Sequence, residues 1–123
     1  MFRSGEAPVL NYQEIESLLG AMGRDQGLRV FERVIFEISD KLCQLELAIH
    51  EGDLQAARRR AKTLRTLSPQ IGLECLAHVA CDIINVIDCN DLANLPVICH
   101  RIVCLGEAGL FHLSEFPRVL AYW

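Results

Sequence analysis

A cluster of basic side chains in the middle of the chain is the first feature with chemical consequences. The segment 53–67 carries a net charge of +4, whereas the remainder of the 123-residue chain carries −8. Its basic residues are Arg58, Arg59, Arg60, Lys62 and Arg65. A local basic strip on an acidic protein favours a local acidic partner and argues against nucleic-acid binding. The alternative is a solvated helix face that contributes only to solubility.

The histidines and cysteines offer weaker possibilities. His78 falls on the polar face of a predicted helix. It is also spaced with Cys75 and Asp82 at i, i+3 and i+7, a pattern that a metal site can use. A second group of the same kind is Cys99, His100 and Cys104. Because one helix rarely supplies a complete set of ligands, we predict no metal and no cofactor.

The six cysteines contain no C-x-x-C pair, and five of them fall within helical apolar patterns. This distribution predicts reduced thiols that mostly fill the core. The first residues lack a basic region followed by an apolar run, and no apolar stretch reaches the ~18 residues of a membrane span. We therefore expect a cytoplasmic protein without a membrane segment.

Helices must position these residues, since apolar residues recur at intervals of three and four without strand-like alternation. Residues 1–10 are predicted to form a flexible leader and residues 11–123 a single domain. A short helix begins at Asn11 and ends at Gly23. Four longer helices follow, with predicted N-caps or first residues at Asp25, Asp53, Ser68 and Leu95. Their short connections predict an all-α, up-and-down antiparallel four-helix bundle with an additional short N-terminal helix.

The last two helices are more apolar than one core-facing stripe requires. Beyond its core positions, the helix after Ser68 carries Val79 and Val86. A second buried face, most simply a homodimer contact, accounts for this excess. Unusually deep burial within one monomer accounts for it equally well.

The segment from Gly52 to Leu76 reads GDLQAARRRAKTLRTLSPQIGLECL and resembles the histidine phosphotransfer (HPt) domain of two-component phosphorelays. That family shows gD, then A-H-x-L-K-G, then a closing lG-x-x-x-L. The matching positions are Gly52, Asp53, Ala61, Leu64, Arg65, Ile71, Gly72 and Leu76. The upstream layout of a short helix followed by a long one is also similar, so the resemblance covers roughly residues 12–113.

Departures from this pattern decide the expected function. Lys62 occupies the position of the phosphorylated histidine, and Thr66 replaces the glycine that lets a receiver domain approach closely. Ile84 stands where an acidic residue is common. Phosphoryl transfer needs a nucleophilic imidazole nitrogen, whereas an exposed lysine is a protonated ammonium without a free lone pair. The resemblance therefore implies a bacterial, non-enzymatic pseudo-HPt domain that docks to a receiver or histidine-kinase domain and regulates signalling without carrying phosphate.

The expected docking face has Lys62 at its centre, with Arg58, Arg59, Arg65 and Thr66 around it. Helical spacing directs these side chains away from the inner stripe of their helix. Receiver domains carry a carboxylate cluster around their phosphoacceptor aspartate, which the resemblance makes the expected partner of the lysine. Two alternatives stay open. One is a helical homodimer or scaffold that binds through the apolar surface of the last two helices, and the other is phosphotransfer through His78.

Overall fold

Four helices form a closed ring in the computed structural model, which describes residues 23–114 together with Ser17. The helices are α1 (Arg24–Glu51), α2 (Leu54–Leu67), α3 (Glu74–Asp88) and α4 (Leu95–Ser114), with 3-10 turns at Ser68–Ile71 and Leu92–Asn94. Each helix contacts its neighbours in sequence, and α1 also contacts α4. The predicted all-α, up-and-down four-helix bundle is confirmed. The predicted leader and, apart from Ser17, the predicted N-terminal helix lie outside the described residues.

One apolar stripe from each helix builds the core of the bundle. Its largest fully buried apolar side chains include Phe31, Ile38, Leu45, Leu64, Ile83 and Ile102. On α2 the buried positions beside Leu64 are the small residues Ala57 and Ala61. Because small side chains let neighbouring helices approach closely, α2 is held with its inner stripe completely enclosed. The opposite side of α2 is then directed into solvent.

Local turn chemistry sets the boundary between α1 and α2. Gly52 adopts a left-handed φ of 76°, which a residue with a Cβ rarely does. The Asp53 side chain then accepts a hydrogen bond from the Ala56 N–H at 3.1 Å, so this predicted cap is confirmed. The predicted cap at Asp25 is wrong, because α1 begins at Arg24 and places Asp25 within its first turn.

The predicted helix start at Ser68 is also wrong. Residues Ser68–Ile71 form a 3-10 turn, Gly72 adopts a φ of 80°, and α3 begins at Glu74. The Ser68 hydroxyl is fully buried and has no hydrogen-bond partner among the described residues, so it caps nothing. A proline at the second position fits a 3-10 turn and an α-helix equally well, and Pro69 therefore could not distinguish them.

Val79 and Val86 were predicted as a possible dimer contact, and for Val79 this prediction is wrong. Val79 is only 1% exposed and belongs to the core, while Val86 is partly buried and packs against that core. The apolar excess of α3 is therefore explained by deep burial within one monomer, between α2 and α4.

The cysteines are less buried than we predicted from the apolar residues around them in the sequence. All six lie within the described residues as free thiols, and Cys99 alone among them is buried. Burial, together with the negative charge of Glu46, raises the pKa of the Cys99 thiol, which therefore stays protonated at neutral pH. The other five are partly or fully exposed, because helical apolar spacing does not separate a core position from a flanking one.

The two ends of α2 give a stability prediction. Asp53→Ala removes a cap hydrogen bond and should lower the free energy of unfolding by about 1 kcal/mol. Ser68→Ala removes a buried hydroxyl without a described partner and should leave stability unchanged or raise it slightly. Urea denaturation of both variants checks this, and a loss for Ser68→Ala as large as that for Asp53→Ala would contradict it.

Candidate functional site

α2 exposes a basic face opposite its buried stripe. Its buried residues are Ala57, Ala61 and Leu64. The rotation of ~100° per residue in an α-helix directs Arg59, Lys62 and Thr66 to the other side. All three side chains are exposed, and so is Arg65 at the edge of this face. The structure places these four residues on one side of α2; we call them the docking face after the role predicted for them, which stays a prediction.

Arg58 differs from the other predicted docking residues because it is bound by α3. Its Nε and Nη2 donate hydrogen bonds to the two carboxylate oxygens of Asp88 at 2.7 and 3.1 Å. A two-bond pair of this kind fixes the guanidinium in one orientation. The hydrogen bond to Asp88 raises the pKa of Arg58 above its ordinary value. Arg58 therefore joins α2 to α3, and its charge is neutralised within the pair.

Asp88 is the residue of this region that sequence reasoning missed. The hydrogen bond from Arg58 is the largest cause that holds the pKa of Asp88 below its usual range, and the positive charges of Arg58 and Lys62 act in the same direction. Lys62 therefore lies close enough to sense this carboxylate. Ile84, where an acidic residue was sought, is 5% exposed and belongs to the core. Asp88 lies one helical turn further along α3, and its carboxylate is the acidic group near Lys62.

The threonines of α2 donate their hydroxyl protons to backbone carbonyls of the same helix. Thr66 Oγ1 donates to the Lys62 carbonyl, and Thr63 Oγ1 donates to the Arg59 carbonyl, each at 3.2 Å. This i to i−4 bonding limits the rotamers of each side chain. The exposed hydroxyl oxygen of Thr66 can then accept a hydrogen bond, and it lies among the positive charges of Arg59, Lys62 and Arg65.

The basic cluster of the sequence is divided among three sides of α2. Arg58 lies toward α3 and Lys62 toward solvent, while Arg60 lines a groove toward α1 together with Gln44 and Asp53. Consecutive arginines at 58, 59 and 60 must diverge because each residue turns the helix by ~100°. The positive charge on the exposed side of α2 is therefore smaller than the +4 of the whole segment.

His78, the alternative acceptor, lies on α3 and not on α2. It is exposed on α3 but precedes Asp88 by ten residues. Ten residues correspond to about 15 Å along a helix, so His78 and the carboxylate beside Lys62 stand at different heights of the bundle. No hydrogen bond or ion pair described for residues 23–114 joins His78 to the docking face.

The other candidate chemistry is not assembled in the part of the chain that the structure describes. No three His, Cys, Asp or Glu side chains there are grouped so that they could hold a metal ion, and Cys75, His78 and Asp82 are thus not a ligand set. In the second group, Cys104 Sγ lies 3.5 Å from His100 Nε2. No helix within residues 23–114 has both the length and the hydropathy to cross a membrane.

Comparison with known proteins finds a likeness in structure and none in sequence. No protein-family model matches the chain, and no curated protein sequence matches it. A crystal structure of histidine-containing phosphotransfer protein B (HptB) from Pseudomonas aeruginosa PAO1 superimposes with a TM-score of 0.82 and 19% sequence identity, over 92% of this chain and 97% of that one. The chain therefore has the fold of an HPt protein, as the residues around Lys62 predicted.

The pair between Arg58 and Asp88 predicts a pH dependence of stability. Because the folded pKa of Asp88 lies below its ordinary value of 3.8, its stabilisation is complete above that pH and is lost as the pH falls through the folded pKa. Asp88→Asn should therefore be less stable than the wild type at pH 7, and the difference should shrink in acid. Chemical denaturation across this range measures the difference.

Asp82→Asn is the matched control, since its carboxylate lies 3.9 Å from the Arg101 guanidinium in a looser contact. Its effect at pH 7 should be smaller than that of Asp88→Asn. A stability difference for Asp88→Asn that is independent of pH would contradict the stabilising role of this pair.

Proposed function

We propose that this chain is a non-phosphorylating, HPt-like docking protein that binds a receiver or histidine-kinase domain of a two-component phosphorelay. Its fold, shared with a solved phosphotransfer protein, supports a place in such a system. The observation that carries the proposal is Lys62, exposed at the centre of the docking face and at the motif position of the phosphorylated histidine. The protein then regulates signalling by occupying a partner and carries no phosphate.

The chemistry of Lys62 separates docking from transfer. Phosphohistidine forms when a neutral imidazole nitrogen attacks the phosphoryl group, and a protonated amine has no electron pair for that attack. The same ammonium is a compact positive charge on a flexible stem. It is thus suited to meet the carboxylates that surround the phosphoacceptor aspartate of a receiver domain.

The neighbours of Lys62 fit this mode of binding. Thr66 adds a side chain where the family motif has glycine, which keeps a docked receiver slightly further from α2. A lysine is longer than a histidine, so its ammonium can reach across that space. Arg59 and Arg65 flank it, and exposed charges of this kind accelerate encounter with an acidic surface. The result is competition with histidine-bearing HPt proteins for the same receiver surface.

A charge reversal tests the docking face. Lys62→Glu should weaken binding to a cognate domain by about tenfold or more at low salt, because it replaces attraction to carboxylates with repulsion, and high salt should reduce this loss. Binding is measured by interferometry against a panel of purified receiver and histidine-kinase domains from the source organism. Arg59→Glu should act in the same direction.

Arg33→Glu on α1 is the matched control, since Arg33 is also exposed and the change in charge is identical. Its effect should be small, because it is not part of the docking face. Equal losses of binding affinity for Lys62→Glu and Arg33→Glu would show that the effect comes from net charge and not from the docking face. If both Lys62→Glu and Arg59→Glu bind with unchanged affinity to a domain that binds the wild type, the docking mechanism is contradicted.

A gain of function tests the alignment of Lys62 with the family's histidine. The double variant Lys62→His with Thr66→Gly restores both the imidazole and the small residue of the motif. Incubation with a ³²P-labelled phosphorylated receiver should label this variant and leave the wild type unlabelled. Label on the wild type that disappears in His78→Ala would overturn the proposal in favour of transfer through His78.

A further inference from the structure

The solvent side of α1 carries two large apolar side chains. Phe36 is 68% exposed and Leu47 is 56% exposed. They are eleven residues apart in sequence, which is close to three turns of an α-helix, so both lie on one line along α1. A surface helix normally keeps this side polar, and an apolar line on it marks a candidate contact surface.

Arg33 and Glu51 lie on one flank of this line. Their separation of 18 residues is five full turns, so the two side chains leave the helix in the same direction. Both are exposed, and within residues 23–114 no hydrogen bond or ion pair engages either of them. Glu51 lines the groove between α1 and α2 together with Arg60, so this flank is the one beside α2.

Glu32 and His50 lie on the opposite flank with the same separation of five turns, and both are exposed. Cys43 and Glu46 line a groove against α4 on this side, so this flank is the one beside α4. Each flank therefore has an acid near one end of the apolar line and a cation or an N–H donor near the other. We call the six residues of this pattern the α1 face: Glu32, Arg33, Phe36, Leu47, His50 and Glu51.

We propose that a second copy of this chain covers the α1 face, with the two α1 helices antiparallel about a two-fold axis midway between Phe36 and Leu47. Such an axis, perpendicular to the helices, brings the same flank of the two copies together. It also sets residues at equal distances before and after it opposite each other. Phe36 then packs against the partner subunit's Leu47, and the symmetry repeats this contact.

Charge complementarity is the reason to choose a second copy as the occupant. Arg33 lies three residues before the apolar line begins and Glu51 four residues after it ends. Arg33 therefore meets Glu51 of the partner subunit on the same flank, with an offset of about 1.5 Å along the helix. On the flank beside α4, the His50 ring can donate an N–H to Glu32 of the partner subunit with the same offset. Since the symmetry repeats each pair, four polar contacts enclose the two apolar ones.

The residues between the charged ends favour the antiparallel direction. Asp40 lies close to the axis, opposite Cys43 of the partner subunit, and its charge is compensated within its own chain. Gln44 Nε2 donates to the Asp40 carboxylate at 2.8 Å, and Lys41 Nζ lies 3.3 Å from it. A parallel pair would set Asp40 beside its own copy at the same height, and Arg29 likewise, and both contacts are repulsive.

A charge swap tests this interface with exposed residues alone. Sedimentation equilibrium of the full chain, in reducing buffer and at increasing concentration, should show a monomer–dimer equilibrium. Arg33→Glu and Glu51→Arg should each raise the dimer dissociation constant by about tenfold or more at low salt, since each places like charges together. The double variant Arg33→Glu with Glu51→Arg should recover the wild-type constant. In one chain the two positions are about 27 Å apart along α1, so recovery can come only from contact between copies.

Substitutions of exposed apolar residues provide the control. Phe36→Glu should abolish the dimer, because it buries a carboxylate against an apolar side chain. Val97→Glu on α4 should leave the dimer intact. Val97 is 70% exposed, but it lies about 120° around α4 from Val103, which borders the groove against α1.

A wild type that stays monomeric, a double charge variant that fails to recover, or a dimer lost in Val97→Glu would each overturn the proposed interface. Arg33→Glu should weaken the dimer and leave receiver binding unchanged, whereas Lys62→Glu should do the reverse. Failure of this interface is therefore distinguishable from failure of docking.

The cysteines supply an independent readout. Cys43 is exposed and lies about 2 Å along α1 from the proposed axis, so the two copies of Cys43 face each other on one flank. Each thiol adds across one C=C bond of 1,2-bismaleimidoethane, forming an S–C bond while the thiol proton passes to the neighbouring carbon, and no oxidant is needed. The cross-linked dimer should be lost in Cys43→Ser and kept in Cys89→Ser, since Cys89 is also exposed but ends α3. Cross-linking that persists in Cys43→Ser would contradict the axis.

Discussion

Complete burial of one side of α2 is the constraint on which the rest of this structure depends. Ala57, Ala61 and Leu64 have no exposed surface, and a helix held in this way cannot rotate about its axis without exposing them. The orientation of Lys62 follows from that burial. The core therefore determines which side chains of α2 are exposed to solvent.

The distribution of charge around α2 follows from the same constraint. Arginines that are adjacent in sequence are separated by the turn of the helix, so one joins α2 to α3, one faces α1, and one reaches solvent beside Lys62. The pair between Arg58 and Asp88 neutralises one cation at the surface and joins α2 to α3. The exposed side of α2 thus carries a narrow group of three cations and not a broad basic surface, which supports the proposed recognition of one acidic site.

Local patterns predicted the fold well, because helix period, Gly52 and the Asp53 cap are properties of neighbouring residues. They predicted long-range features poorly. Periodicity cannot rank how deeply Val79 and Cys104 are buried, since that depends on which helices lie beside them. Asp88 was missed for the same reason, as its partner Arg58 is thirty residues away in sequence. The residues proposed for docking could be named from the sequence because they lie on one helix, within one short motif, and their role stays a prediction.

The most direct test of the central claim is an NMR titration of the ¹⁵N-labelled full chain with a receiver domain that binds it. The largest changes in chemical shift should fall on the amides of Arg59, Lys62, Arg65 and Thr66, with that of His78 unchanged. Changes confined to His78, or to surfaces away from α2, would show that Lys62 is not the centre of recognition.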